Sequence, residues 1–212
     1  MKKLAFFVVI ALILTGCTRI TNNLDDVVND LMSTDGINAN TVSTGYELHI
    51  PSGVAQIVDN DYNQKFKIKN RYVYLYVDTI SYYYKNTLNY KSSEDYSYYY
   101  KEIKFNDKLG YVGINKIDDN NYFCEIVYNY SKIEFYSDLK DLPVILANSL
   151  IIQKSIKYND TLIAIELDSV MNDGRDIKYE LDKPEDSEST FSQYLQEYVT
   201  LEEVEVVLPD ED

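Results

Sequence analysis

The chain has 212 residues, 35 acidic and 20 basic, for a formal charge of −15. So acidic a molecule is repelled by nucleic acid, anionic headgroups and anionic wall polymers, and no nucleic-acid partner is expected. One histidine, two cysteines and seven glycines leave little material for a Cys/His metal centre or a Gly-rich phosphate loop.

The N-terminus opens with Lys2 and Lys3, followed by an unbroken apolar run of eleven residues, Leu4 to Leu14, and then the small residues Thr15 and Gly16 before Cys17. A positive start, a short apolar core and a small-residue cut site form a secretory signal. The run is too short for a bilayer span, which takes roughly 20 apolar residues. The stretch Leu14-Thr15-Gly16-Cys17 resembles the lipobox of bacterial lipoproteins. That resemblance implies cleavage before Cys17 and a diacylglyceryl thioether on it, and two acyl chains hold a protein stably where one does not. An ordinary signal followed by a chance cysteine is the competing reading. Residues 1–16 are thus expected to be a signal peptide. The mature protein is expected to lie on the extracytoplasmic face of the cell membrane, anchored through lipid on Cys17.

Residues 17–44 read as a tether with a short helix. Leu24, Val27, Val28, Leu31 and Met32 recur at helical spacing, with Asn23 placed to cap. The helix lacks the Lys/Arg fringe of interfacial helices, so it is expected to pack on the domain. Ser33 to Thr44 reads as loop.

Residues 45–201 read as one domain. Strands are expected at Tyr46–Ile50, Val54–Val58, Lys65–Lys69, Tyr72–Lys85, Tyr98–Phe105, Leu109–Ile117, Tyr122–Tyr130 and Ile133–Tyr136. Each alternates apolar and polar residues or is rich in β-branched and aromatic ones, and turn residues separate them. Pro143 to Ser155 is apolar nearly all round and reads as a buried helix capped by Asp138 or Asp141. Thr161–Leu167 and Ile177–Leu181 read as further strands. Thr190 and Gln193 fit a capping box for a last helix. Residues 202–212 form an acidic tail, and residues 159–212 together carry a net charge of −14.

These elements add up to an α+β fold, an antiparallel β-sheet with helices packed on it. Their order, with Tyr46 to Gly53 as an opening strand and Pro-Ser-Gly turn, is loosely similar to the PsbP-like fold. No function is carried over from that similarity.

The word Ser81-Tyr82-Tyr83-Tyr84-Lys85 recurs as Ser97-Tyr98-Tyr99-Tyr100-Lys101. Read as strands, these segments put Tyr82, Tyr84, Tyr98 and Tyr100 on a face that could stack on sugars or grip a partner. The plainer reading is that tyrosine suits half-buried strands. His49, the one histidine, would have to serve any Ser-His-Asp or Cys-His site. Cys124 shares its strand face with Tyr122, Ile126 and Tyr128, which suits an inert buried thiol. Asp59-Asn60-Asp61-Tyr62-Asn63 begins like a calcium loop but has Gln64 and Asn70 where glycine and glutamate belong. No metal site, cofactor or catalytic residue is expected. The expected function is a non-enzymatic module that binds an envelope protein or wall component, or supports the envelope. The alternatives are a carboxylate-based envelope hydrolase and a carbohydrate-binding module built on the tyrosine strands.

Overall fold

The computed structural model of the chain describes residues 23–34, 36–86, 93–173 and 184. The expected signal peptide, Cys17, the strand at 177–181, the capping-box helix and the acidic tail lie outside them.

The described chain opens with helix α1 (Leu24–Ser33), and Asn23 caps it by accepting from the Asp25 N–H at 2.9 Å. Strands β1 (Thr41–Ser43) and β2 (Tyr46–Leu48) follow as a short hairpin, placing a strand where loop was expected. The turn between them holds Gly45 at φ +77°, a conformation that favours glycine. Strands β3 (Val54–Asn60), β4 (Asn63–Ile68) and β5 (Arg71–Val77) form a meander that ends in helix α2 (Thr79–Tyr84). A second meander comprises β6 (Tyr99–Phe105), β7 (Lys108–Lys116), β8 (Tyr122–Tyr128) and β9 (Ser131–Ser137). Helix α3 (Leu142–Lys154), strand β10 (Lys157–Tyr158) and helix α4 (Asp160–Asp173) complete the described chain.

The fold is α+β. The two meanders join where β5 pairs β9, giving a seven-stranded antiparallel sheet in the order β3-β4-β5-β9-β8-β7-β6. A separate small sheet has the order β1-β2-β10. Two hairpins close on two-residue turns with both residues at positive φ, Asn106-Asp107 and Asn129-Tyr130. Such turns match the twist of antiparallel strands, and asparagine tolerates their left-handed conformation.

One sheet face is the core. Val73, Leu75, Val112, Ile114, Cys124, Ile126, Ile133 and Phe135 are fully buried there. Helix α3 packs on β8 and β9 and is itself covered by α1, which explains why it is apolar nearly all round. Val27, Val28 and Met32 of α1 join the same core. Helix α1 therefore packs on the domain, as its missing basic fringe indicated.

Two strand expectations are corrected. The chain leaves the sheet at Asp78, whose carboxylate accepts from the Ser81 N–H at 2.8 Å and caps α2, so Ser81 to Tyr84 is helical. Lys85 then stops the helix at φ +55°. Likewise Thr161–Leu167 belongs to helix α4, because the Asn159 side chain accepts from the Leu162 N–H at 3.1 Å and starts a helix there. In both places a capping side chain overrides the β-propensity of the residues that follow.

Candidate functional site

The four tyrosines singled out by the repeated word do not form one surface. Tyr82 and Tyr84 lie on α2, which follows Val77. Val77 pairs with Ser131, at the sheet end closed by the Asn129-Tyr130 turn. Tyr98 and Tyr100 lie at the start of β6, beside the C-terminal end of β7, which is the opposite end of the sheet. Tyr82 is half-buried, stacked on Tyr158 with centroids 3.8 Å apart and covered by the Lys85 ammonium at 3.6 Å. Tyr100 is half-buried against Tyr96 and Tyr111. Tyr84 at 57% and Tyr98 at 43% keep substantial exposure, one at each end of the molecule.

The sheet face turned away from the helices carries a polar cluster that the sequence reading did not anticipate. Glu125 of β8 lies directly opposite Glu134 of β9, and Lys132 lies two residues before Glu134 on the same strand. The Lys132 ammonium bridges them, 2.7 Å from Glu125 Oε2 and 2.5 Å from Glu134 Oε1. Glu125 Oε1 also accepts from the Tyr96 and Tyr111 hydroxyls at 2.5 and 2.7 Å. All three charged side chains are buried. Among the described residues, Glu134 Oε2 has no hydrogen-bond partner, while the Tyr76 hydroxyl bonds the carboxyl group. Burial pushes the Glu134 carboxyl above the usual range; Lys132 pulls it back and Glu125 pushes it further up. Burial and the neighbouring Glu125 carboxylate push the Tyr96 and Tyr111 phenols far up, so both remain donors.

The cluster does positional work. Tyr96 comes from the segment preceding β6, and its ring lies where a side chain at Gly113 would otherwise stand. Glycine there admits the ring and lets the hydroxyl reach Glu125. Next in the chain, Ser97 donates its N–H and hydroxyl to Asn115 Oδ1, and the Tyr98 N–H bonds the Ile114 carbonyl. Tyr98 is thereby fixed beside Tyr122, with ring centroids 4.7 Å apart.

Tyr98 lines a groove of about 550 Å³ together with Leu24, Asn120, Leu139, Lys140 and Pro143. The groove lies where four elements end together: the start of α1, the β7–β8 turn, the β9–α3 connection and the approach to β6. Its walls are mixed: Leu24, Leu139, Pro143 and the Tyr98 ring are apolar, and Asn120 and Lys140 contribute an amide and an ammonium. No family model matches this chain. No curated protein matches it either.

The remaining sequence candidates are structural. The His49 ring bonds the Asn38 carbonyl through Nδ1 at 2.8 Å, and its backbone N–H donates to Ser155 Oγ. Cys124 is fully buried between β7 and β9 on the core face, and burial raises its thiol well above the ordinary value. Asp61 sits in the β3–β4 turn and accepts from the Thr44 hydroxyl at 2.5 Å. Among the described residues, no group of three His, Cys, Asp or Glu side chains could hold a metal ion.

Proposed function

We propose that this chain is a lipoprotein held on the extracytoplasmic face of a bacterial cell membrane by lipid on Cys17. Its folded domain serves there as a non-enzymatic binding or envelope-support module. The observation that carries the reading is the order of Lys2 and Lys3, the apolar run Leu4 to Leu14, and Leu14-Thr15-Gly16-Cys17. Only six residues separate Cys17 from Leu24, the first residue of α1. A chain spans at most about 3.6 Å per residue, so the domain hangs within roughly 25 Å of the anchor. Support for a binding role is that several chemically capable side chains among the described residues are committed to the fold. Lys132, Glu125 and Glu134 hold one another, Cys124 lies in the core, and the His49 ring is tied to backbone. The groove offers a contact surface of mixed character, with Leu24, Leu139, Pro143 and Tyr98 beside Asn120 and Lys140.

Mass spectrometry of the protein recovered from its native membrane tests the anchor. The expected product begins at Cys17 and carries a diacylglyceryl group, and Cys17→Ala leaves the membrane fraction or retains its leader. Recovery of the wild-type protein with an unmodified Cys17 thiol would overturn the reading. Retention of one envelope protein or wall fragment by the soluble domain would then identify what the module binds.

A further inference from the structure

We infer that the groove end of the domain, with Leu24, Tyr98, Ile117 and Leu139 at its tip, seats on the lipid surface itself. This inference rests on the anchoring proposed above. Three observations carry it.

The first is where the chain comes from. The groove is lined by Leu24, the first residue of α1. The six residues between Cys17 and Leu24 reach this end of the domain before any other. A tether that short keeps the groove end close to the bilayer, where the effective concentration of lipid is high and weak contacts are enough.

The second is exposure. Leu139 is 47% exposed, Ile117 54% and Tyr98 43%, and all three belong to the connections gathered at this end. Isolated apolar residues on a surface need no explanation. Two aliphatic residues and a tyrosine on converging connections, beside a groove with an ammonium on its wall, match the composition that settles at the headgroup boundary.

The third is charge. The chain as a whole is strongly negative, which opposes approach to a membrane. At this end several of the acids are matched. Lys69 pairs with Asp141 at 3.1 Å, Arg71 with Asp138 at 3.3 Å and Lys116 with Asp119 at 3.4 Å. Lys140 on the groove wall forms no ion pair among the described residues and adds a positive charge there. Ion pairing thus softens, without cancelling, the negative charge at the end nearest the anchor, where Asp26, Glu94, Asp95 and Asp118 also stand. A zwitterionic interface carries no net charge and does not repel what remains.

The chain contains no tryptophan, so one introduced indole reports alone. Leu139→Trp and, separately, Ile117→Trp are placed in the lipidated protein and reconstituted into phosphatidylcholine vesicles with brominated acyl chains. Tyr84→Trp, on α2 at the far end of the sheet, is the control. The expected result is a blue-shifted emission, mostly lost to the brominated chains, at positions 139 and 117, with the control unshifted and unquenched. Mass spectrometry of the same samples reads the lipid on Cys17 independently. A lipidated protein whose position-139 and position-117 indoles behave like the control overturns the seating and leaves the anchor standing. An indole at 139 shielded from aqueous iodide but untouched by brominated lipid also overturns it, and places that side chain against protein, in its own groove or against a second copy. An unlipidated Cys17 overturns the anchor and the seating together.

Discussion

Lys132 holds two carboxylates that face each other across neighbouring strands in a dry part of the molecule. Burying three charges is costly, and their mutual geometry, the two tyrosine hydroxyls on Glu125 and the Tyr76 hydroxyl at Glu134 help offset that cost. Removing one partner leaves the others uncompensated. Lys132→Met is therefore expected to lower unfolding free energy by about 3–5 kcal/mol, read from urea denaturation. An unchanged midpoint would mean that water already solvates the cluster. The sequence showed part of this site. Period-two alternation sends Glu125 to the face opposite Cys124, and it sends Lys132 and Glu134 away from Ile133 and Phe135. What it could not show is that this face is covered. That depends on the register that sets Glu125 against Glu134, and on Tyr96 reaching over Gly113 from a distant segment. By contrast, the inert character of Cys124 was legible, because its strand neighbours alone define its face.

At the scale of elements, the ends of α1 are held by side chains from elsewhere in the fold. Lys101 of β6 binds Asp25 in its first turn at 2.7 Å. At its other end the Lys154 ammonium of α3 donates to the carbonyls of Leu31, Met32 and Thr34 while lying 3.9 Å from the centroid of the Phe105 ring. A cation on the last carbonyls satisfies acceptors that the helix cannot. Lys154→Met keeps the apolar stem and loses the cap. It is expected to cost about 1.5–3 kcal/mol, the usual range for hydrogen bonds to a charged group. Amide exchange should show faster opening in α1 than in β8. Uniform loss of protection across the sheet would instead mean that Lys154 supports the whole core. The repeated word shows why elements were harder to read than faces. Ser-Tyr-Tyr-Tyr-Lys is helical at 81–85, where Asp78 caps it. At 97–101 the same word runs into β6, where Ser97 binds Asn115 and β7 supplies a pairing edge. Identical local propensity gives two structures because tertiary partners decide.

At the scale of the molecule, the hairpin meanders and the two helices packed on one sheet face were legible, since turn residues and periodicity are local signals. The join of the meanders through β5 and β9 was not, because it pairs segments more than fifty residues apart and has no sequence mark. That join also buries Glu134 between Glu125 and Tyr74, its cross-strand neighbours, and so shapes how stability depends on pH. Glu134 has a carboxyl raised above its unfolded value of 4.5, and Asp78 one raised above 3.8, in both cases by burial first. A carboxyl raised in the fold binds its proton more tightly there than in the unfolded chain. Its stabilising contribution is complete below the unfolded value and is lost as pH rises through the folded one. Asp25, held by Lys101 and Tyr99, and Asp138, held by the Asp141 N–H and then Arg71, are lowered. Their contribution is lost as pH falls below 3.8, and it is small because Asp25 is exposed and Asp138 only half-buried, so solvent screens both. Stability is therefore expected to peak at about pH 4–5 and to decline toward neutrality. The growing negative charge of the chain acts in the same direction. Salt separates the two causes, since a Debye length of about 8–10 Å near 0.1 M screens surface repulsion but not a buried carboxylate. Added salt at neutral pH should recover only part of the lost stability, and Glu134→Gln should flatten the remaining slope. A pH profile of urea midpoints at low and high salt checks both. Full recovery by salt alone would show that Glu134 does not titrate within the fold.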